Sequence, residues 1–189
     1  MPLKKSLSKN HAQKKISIEQ LVTLVSDQWK REVPDGYLPK MCDSLELLSD
    51  DEIWWRANDA SNSLGNLILH LCGNMRQWIV SGLGGAEDIR QRDLEFSEQG
   101  PIPRAELIEK LRAAVREASK VIHGLSARDL VKEYSIQGFR VTGYEAAIHV
   151  TTHIAYHAGQ IIYVAKMKRG KDLGFTKLPA LPAKKKARA

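Results

Sequence analysis

The sequence predicts an all-α protein, a four-helix bundle, on three observations. Apolar residues recur at spacings of three and four through four long stretches. Polar starts and glycine stops bound most of these stretches, and no region is rich in strand patterns. At 189 residues, 43% of them hydrophobic, the chain is long enough to bury one sizeable core, and its length favours one domain.

The first helix starts at Ser17-Ile18-Glu19-Gln20, which reads as a capping box, and carries Ile18, Leu21, Leu24, Val25 and Trp29 as its apolar stripe. Pro34, Asp35 and Gly36 should interrupt or kink it before an amphipathic piece through Leu45, Leu47 and Leu48. Ser49-Asp50-Asp51-Glu52 caps a short segment holding Trp54 and Trp55, and Asn58 to Ser63 reads as a loop leading into a helix. The second long helix runs to about Gly82, with Leu64, Leu67, Ile68, Leu71, Met75, Trp78 and Ile79 facing the core and His70 among them. Gly84-Gly85 ends it, and the polar stretch to Gly100 reads as a long connection.

Pro103 opens the third helix, whose buried face is Leu107, Leu111, Ala114, Val115, Ala118 and Ile122, and Ser126 to Asp129 offers one more cap. Tyr134 to Val141, with β-branched and aromatic residues around Gly138, reads as a short hairpin-like excursion. Thr142-Gly143-Tyr144-Glu145 is a second capping box and opens the fourth helix, which continues to about Lys168 and stops at Gly170. The domain reading is therefore a basic, flexible leader at 1–15, a bundle at 16–170 and a basic, disordered tail at 171–189.

Charge is unevenly spread. Residues 1–15 hold five lysines and no acid, residues 166–189 hold nine Lys or Arg against Asp172, and the stretch between holds 15 basic against 21 acidic groups. The net +7 thus belongs to the tails, which excludes a basic globular face for nucleic acid and leaves weak contact through the tails at most. With no run of about 18 apolar residues and no apolar stretch behind the charged N-terminus, neither a membrane span nor a secretory signal is expected, and the location expected is cytoplasmic. Cys42 and Cys72 are too few for a disulfide framework and read as buried free thiols.

Three histidines, His149, His153 and His157, follow one another at four-residue steps in the last helix. Such a step turns about 40° and rises about 6 Å, so two neighbouring imidazoles can reach one ion from one face. The outer two lie about 12 Å apart along the axis, so one of the three is a bystander or a supporting group. His70 is the natural third donor because it sits in the core stripe of another helix, although a hydrogen-bonded core histidine is the competing reading. Three imidazoles suit a divalent transition metal, Zn or Ni foremost and Fe or Mn otherwise, and leave a coordination position open.

The run Asn66-Leu67-Ile68-Leu69-His70-Leu71-Cys72-Gly73-Asn74, followed downstream by His153-Ile154-Ala155-Tyr156-His157-Ala158-Gly159-Gln160, resembles the DinB-like (YfiT-like) metal-dependent proteins over about residues 16–168. The resemblance implies a DinB-type four-helix bundle, often a homodimer, with three histidines on one divalent metal. Carried over residue by residue, it selects His70, His153 and His157 and leaves His149 outside. Where many relatives have Arg or His directly after the last ligand, this chain has Ala158. Relatives include thiol-dependent S-transferases, an isomerase and proteins called hydrolases, so the resemblance leaves the reaction open.

Around that site, Gln160 and His149 are the candidates to orient a ligand or a bound water. The loop from Gly84 to Phe96 is densely charged, and Arg90 and Arg92 are candidates to hold an anionic small-molecule substrate or a low-molecular-weight thiol, against a competing reading as structural ion pairs. Cys72, about 200° around the helix from His70, should not share its metal. Tyr156 reads as packing, the tryptophans as core or interface anchors, and His123 as a cation suited to a helix end. The functional expectation is an enzyme that activates a water or a thiol at the metal, as a hydrolase or thiol S-transferase. The alternative is a non-catalytic, metal-stabilised binding or stress-associated protein.

Overall fold

The computed structural model describes residues 17–175. Helix α1 (Ile18–Glu32) starts on the capping box expected at Ser17, whose hydroxyl accepts from the Gln20 N–H while the Gln20 side chain accepts from the Ser17 N–H. Pro34 does not break the chain. It is carried in a π-helical turn (Val33–Tyr37) in which the Leu38 N–H reaches back to the Val33 carbonyl, and α2 (Leu38–Glu46) follows directly. The short α3 (Asp50–Trp54) is capped by Ser49 with Glu52, as the sequence implies.

The second long helix is α4 (Leu64–Met75), capped by Ser63 with Asn66 and continued by a second π-helical turn (Arg76–Ser81). The long connection after it is not wholly irregular. Arg92–Ser97 forms a short helix, α5, that packs on α4, and this corrects the reading of that stretch as plain connection. No side chain caps α5, so its start carried no sequence signal. Helix α6 (Arg104–Gly124) buries Leu107, Ile108, Leu111, Val115, Ala118 and Ile122. Helix α7 (Ala127–Val131) leads to the expected hairpin, β1 (Glu133–Ile136) paired antiparallel with β2 (Phe139–Thr142). Gln137 and Gly138 both have positive φ, 53° and 82°, as a two-residue turn of that hand requires. Helix α8 (Gly143–Arg169) starts on the Thr142–Glu145 capping box and ends on Gly170 in the left-handed conformation.

Helix α4 packs against α6 and α8, and α2 packs against α8 and α6, so the four long elements enclose one core. Helix α8 meets it largely through small residues, Ala146, Ala147, Ala158 and Ala165, with Val150, Ile154 and Ile161 between them. Small side chains let its backbone come close to α4, which carries His70. The apolar stripe expected of α1 is only partly a core stripe. Trp29 is buried, but Ile18, Leu21 and Leu24 are exposed, and Leu24 lies beside Tyr144 and Ile148 of α8, which are exposed as well. No helix among the described residues is long and apolar enough to cross a membrane. The leader at 1–15 and most of the tail, 176–189, lie outside the described residues.

Candidate metal centre

His70 sits in the buried stripe of α4, and His153 and His157 face it from successive turns of α8. The Nε2 atom of His153 lies 3.1 Å from that of His70 and 3.1 Å from that of His157, and one ring nitrogen from each of the three falls within 4.8 Å of the others. The i, i+4 spacing brings the α8 pair onto one face, and the close α4–α8 contact adds the third.

The other ring nitrogens fix the tautomers. Nδ1–H of His70 donates to the Glu95 carboxylate at 2.9 Å, and Nδ1–H of His157 donates to Oε1 of Gln160 at 2.7 Å. Both Nε2 atoms therefore present lone pairs inward, and both face Nε2 of His153. Neutral His153 can give a proton to one neighbour only, while its Nδ1 is buried without a protein partner among the described residues. A cation between the three rings uses all three lone pairs at once. Two of the separations, both 3.1 Å, are close to the roughly 3.3 Å expected between two nitrogens about 2.0 Å from one tetrahedral ion, while the three nitrogens together span up to 4.8 Å, so His70 and His157 would draw inward around an ion. The donor set, with that adjustment, fits a divalent metal.

Electrostatics point the same way. Burial, reinforced by His157 and His70, pushes the His153 imidazole down to about 3, and burial lowers His157 against the opposing pull of its Gln160 bond. Both rings are neutral at pH 7, the form a metal ligand needs. Burial tends to raise the Glu95 carboxyl, but hydrogen bonds from Arg90 and His70 outweigh it and hold it below the usual glutamate value. Glu95 is ionised, a carboxylate behind a ligand histidine.

Glu95 was not assigned to the site from the sequence. It reaches His70 because α5 is held down at several points. Arg90 grips its carboxylate twice, Nε to Oε1 at 2.7 Å and Nη2 to Oε2 at 2.8 Å, and places Nη1 on Gln77 at 2.9 Å. Asn66 donates to the carbonyls of Glu95 and Glu98, and its own Oδ1 accepts from Arg56. Gly73 completes the seat, because a Cβ there would run into the Glu95 carboxylate.

These contacts decide between the two readings of the charged loop for Arg90. Its side chain is 2% exposed and committed to Glu95, so it serves as a structural ion pair rather than a hand for an anionic substrate. Arg92 lies over the Phe96 ring at 4.9 Å, and that ring packs against His70. His149 is outside the cluster: its ring lies 4.0 Å from that of Trp78 and stacks on His153 at 5.8 Å. Gln160, by contrast, is where the sequence placed it, directly behind His157. Cys72 does not join the ligands, and desolvation pushes its thiol up to about 12. The imidazole of His123 bonds the Ser119 carbonyl through Nδ1 on α6.

Tyr156 corrects its reading as packing. It is 65% exposed and, with Tyr163 and Trp55, walls a cleft of about 450 Å³ that His157 and Gln160 also line. This cleft was not legible in the sequence, because its other wall comes from the irregular segment between α3 and α4.

Comparison with known proteins supports this architecture. The family model described as a protein of unknown function, DUF1572, matches residues 9–180. Three solved structures share the fold at low identity. A DinB-like protein from Bacillus cereus ATCC 10987 has a TM-score of 0.57 at 16% identity, covering 71% of this chain and 86% of that one. A conserved protein from Enterococcus faecalis has a TM-score of 0.64 at 15% identity, covering 80% and 98%. The DinB-like protein YjoA from Bacillus subtilis has a TM-score of 0.56 at 14% identity, covering 82% and 96%. No curated protein matches the sequence.

Proposed function

From the premise that the chain belongs to the DUF1572 family and has the DinB-like fold, we propose that it is a metal-dependent enzyme that activates a water or a low-molecular-weight thiol at His70, His153 and His157. The observation that carries this reading is the convergence of three Nε2 lone pairs beside an open cleft. Zinc or nickel suits an all-imidazole set best, with iron or manganese next. When bound with only three protein ligands, such an ion acts as a Lewis acid and lowers the pKa of a water or thiol toward neutrality.

The chain's own residues do the rest. Glu95 holds the His70 ring in one tautomer and orientation, and Gln160 does the same for His157, so both rings already present Nε2 toward the ion position. Arg90, Asn66 and Gly73 keep Glu95 in place. The walls of the cleft, Trp55, Tyr156 and Tyr163, enclose space for a small molecule next to His157. Cys72 supplies no nucleophile, since its thiol stays protonated.

The proposal includes a cytoplasmic location and a homodimer, the dimer supported by the exposed apolar face that Leu24, Tyr144 and Ile148 share. Its enzymatic part is tested by assaying protein purified without a histidine tag against esters, amides and thiol–electrophile pairs, before and after chelation and readdition of zinc or nickel. Turnover that chelation abolishes and metal restores supports the enzyme. Bound metal with no metal-dependent turnover on any of these classes favours a metal-stabilised binding protein instead.

A further inference from the structure

The cleft beside His157 has a chemical character of its own. Trp55, Tyr156 and Tyr163 form aromatic walls, Leu64 and Leu67 close its inner side, and none of its lining side chains is charged. Lys168 stands outside the lining, with its ammonium 3.8 Å from the centre of the Trp55 ring. Arg90, which could have answered an anion, is buried on Glu95. A carboxylate or ammonium entering this cleft would give up its hydration and meet no counter-ion on the walls. An aromatic or branched apolar group would instead bury its surface against the rings.

Beside the tyrosine hydroxyls, the polar groups in the lining are neutral too: Ser61, Asn62, His157 and Gln160. The Gln160 Oε1 is already taken by His157 Nδ1–H, so what this side chain still has to give is its NH₂ donor. The complement of an amide donor behind His157 is a carbonyl oxygen.

We propose that this cleft is a ligand site and that it selects an uncharged ester or amide bearing an aromatic or branched apolar group, over charged small molecules such as amino-acid-derived thiols. Of the three histidines only His157 lines it, with Gln160 on the Nδ1 side of that ring, so the inference concerns which ligand binds and stands apart from the reaction at the metal centre.

The test uses three probes with the same ring and different charge: benzamide, benzoate and benzylamine at neutral pH. Each is titrated into the purified full-length protein by ligand-observed NMR, with metal content measured on the same sample. We expect benzamide to bind at least tenfold more tightly than either charged probe. Tyr163→Ala alters an exposed side chain and should leave the melting temperature and metal content unchanged, and Tyr156→Ala, whose ring also meets that of His157 at 5.1 Å, is read with its metal content; each should weaken benzamide at least tenfold. Equal or tighter binding of benzoate or benzylamine, no saturable benzamide binding, or indifference to both tyrosine variants would overturn the inference. If the protein holds no metal yet prefers benzamide through the tyrosines, the cleft's selectivity stands and the metal-enzyme reading fails. If it holds metal but prefers benzoate, the metal reading stands and this inference fails.

Discussion

At the scale of single residues the site depends on pairs, each ligand ring with the group behind it. Glu95 has two obligations, to His70 and to Arg90, and both are buried. Replacing it with Gln keeps the shape but leaves the Arg90 guanidinium without its counter-charge. Breaking such a buried pair costs about 3 kcal/mol, which in a chain of this size lowers Tm by roughly 6–12 °C. Loss of the carboxylate behind a ligand histidine should also weaken metal binding by about 10–100-fold. Thermal unfolding and a competitive chelator titration of Glu95→Gln check both effects; an unchanged Tm would mean that the pair contributes nothing.

The histidines add a pH dependence with a definite sign. His153 titrates near 6.5 in the unfolded chain and at about 3 in the fold, and His157 is also lowered. Protonation therefore favours unfolding. The stability contributed by these neutral rings is complete above pH 6.5 and is lost as pH falls from there toward 3. Urea midpoints of chelator-treated protein should fall between pH 7.5 and pH 5, whereas midpoints that rise across that interval would contradict the burial of neutral histidines. The ligand pair was legible because an i, i+4 step is a geometric statement. Glu95 was not: 25 residues of sequence separate it from His70, and nothing in a dense run of charges says which carboxylate turns inward.

At the scale of elements, the seating of α5 on α4 positions the site. Gly73 is the tightest point of that contact, with no room for a Cβ beside the Glu95 carboxylate. Gly73→Ala should therefore displace α5 rather than strengthen α4, even though alanine is intrinsically the better helix former by about 1 kcal/mol. We expect a net loss of about 1–3 kcal/mol of the kind overpacking produces, measured by chemical denaturation, together with weakened metal binding. A stabilised Gly73→Ala variant would show that the contact is loose. Capping boxes made Ser17, Ser49, Ser126 and Thr142 readable as helix starts, because each satisfies backbone donors through local partners. Helix α5 has no such cap and is held by Asn66 and Arg56 from elsewhere in the chain, so local pattern could not reveal it.

At the scale of the whole molecule, the bundle was legible from four periodic stretches, while the outer face of α1 was not. Periodicity says that Ile18, Leu21 and Leu24 share a side, but not whether this chain covers it. On the proposal that a second copy does, Leu21→Glu combined with Ile148→Glu should convert a dimer into a folded monomer in light scattering at micromolar concentration. A wild-type monomer would remove that part of the proposal. The central claim, that the three histidines form a metal centre, is tested most directly by elemental analysis of protein purified without a histidine tag, beside His70→Ala and His153→Ala. We expect about one divalent transition metal per wild-type chain and less than a tenth of that in either variant, with the helical circular dichroism signal retained. Wild-type protein without stoichiometric metal, or variants that take up metal as the wild type does, would contradict it.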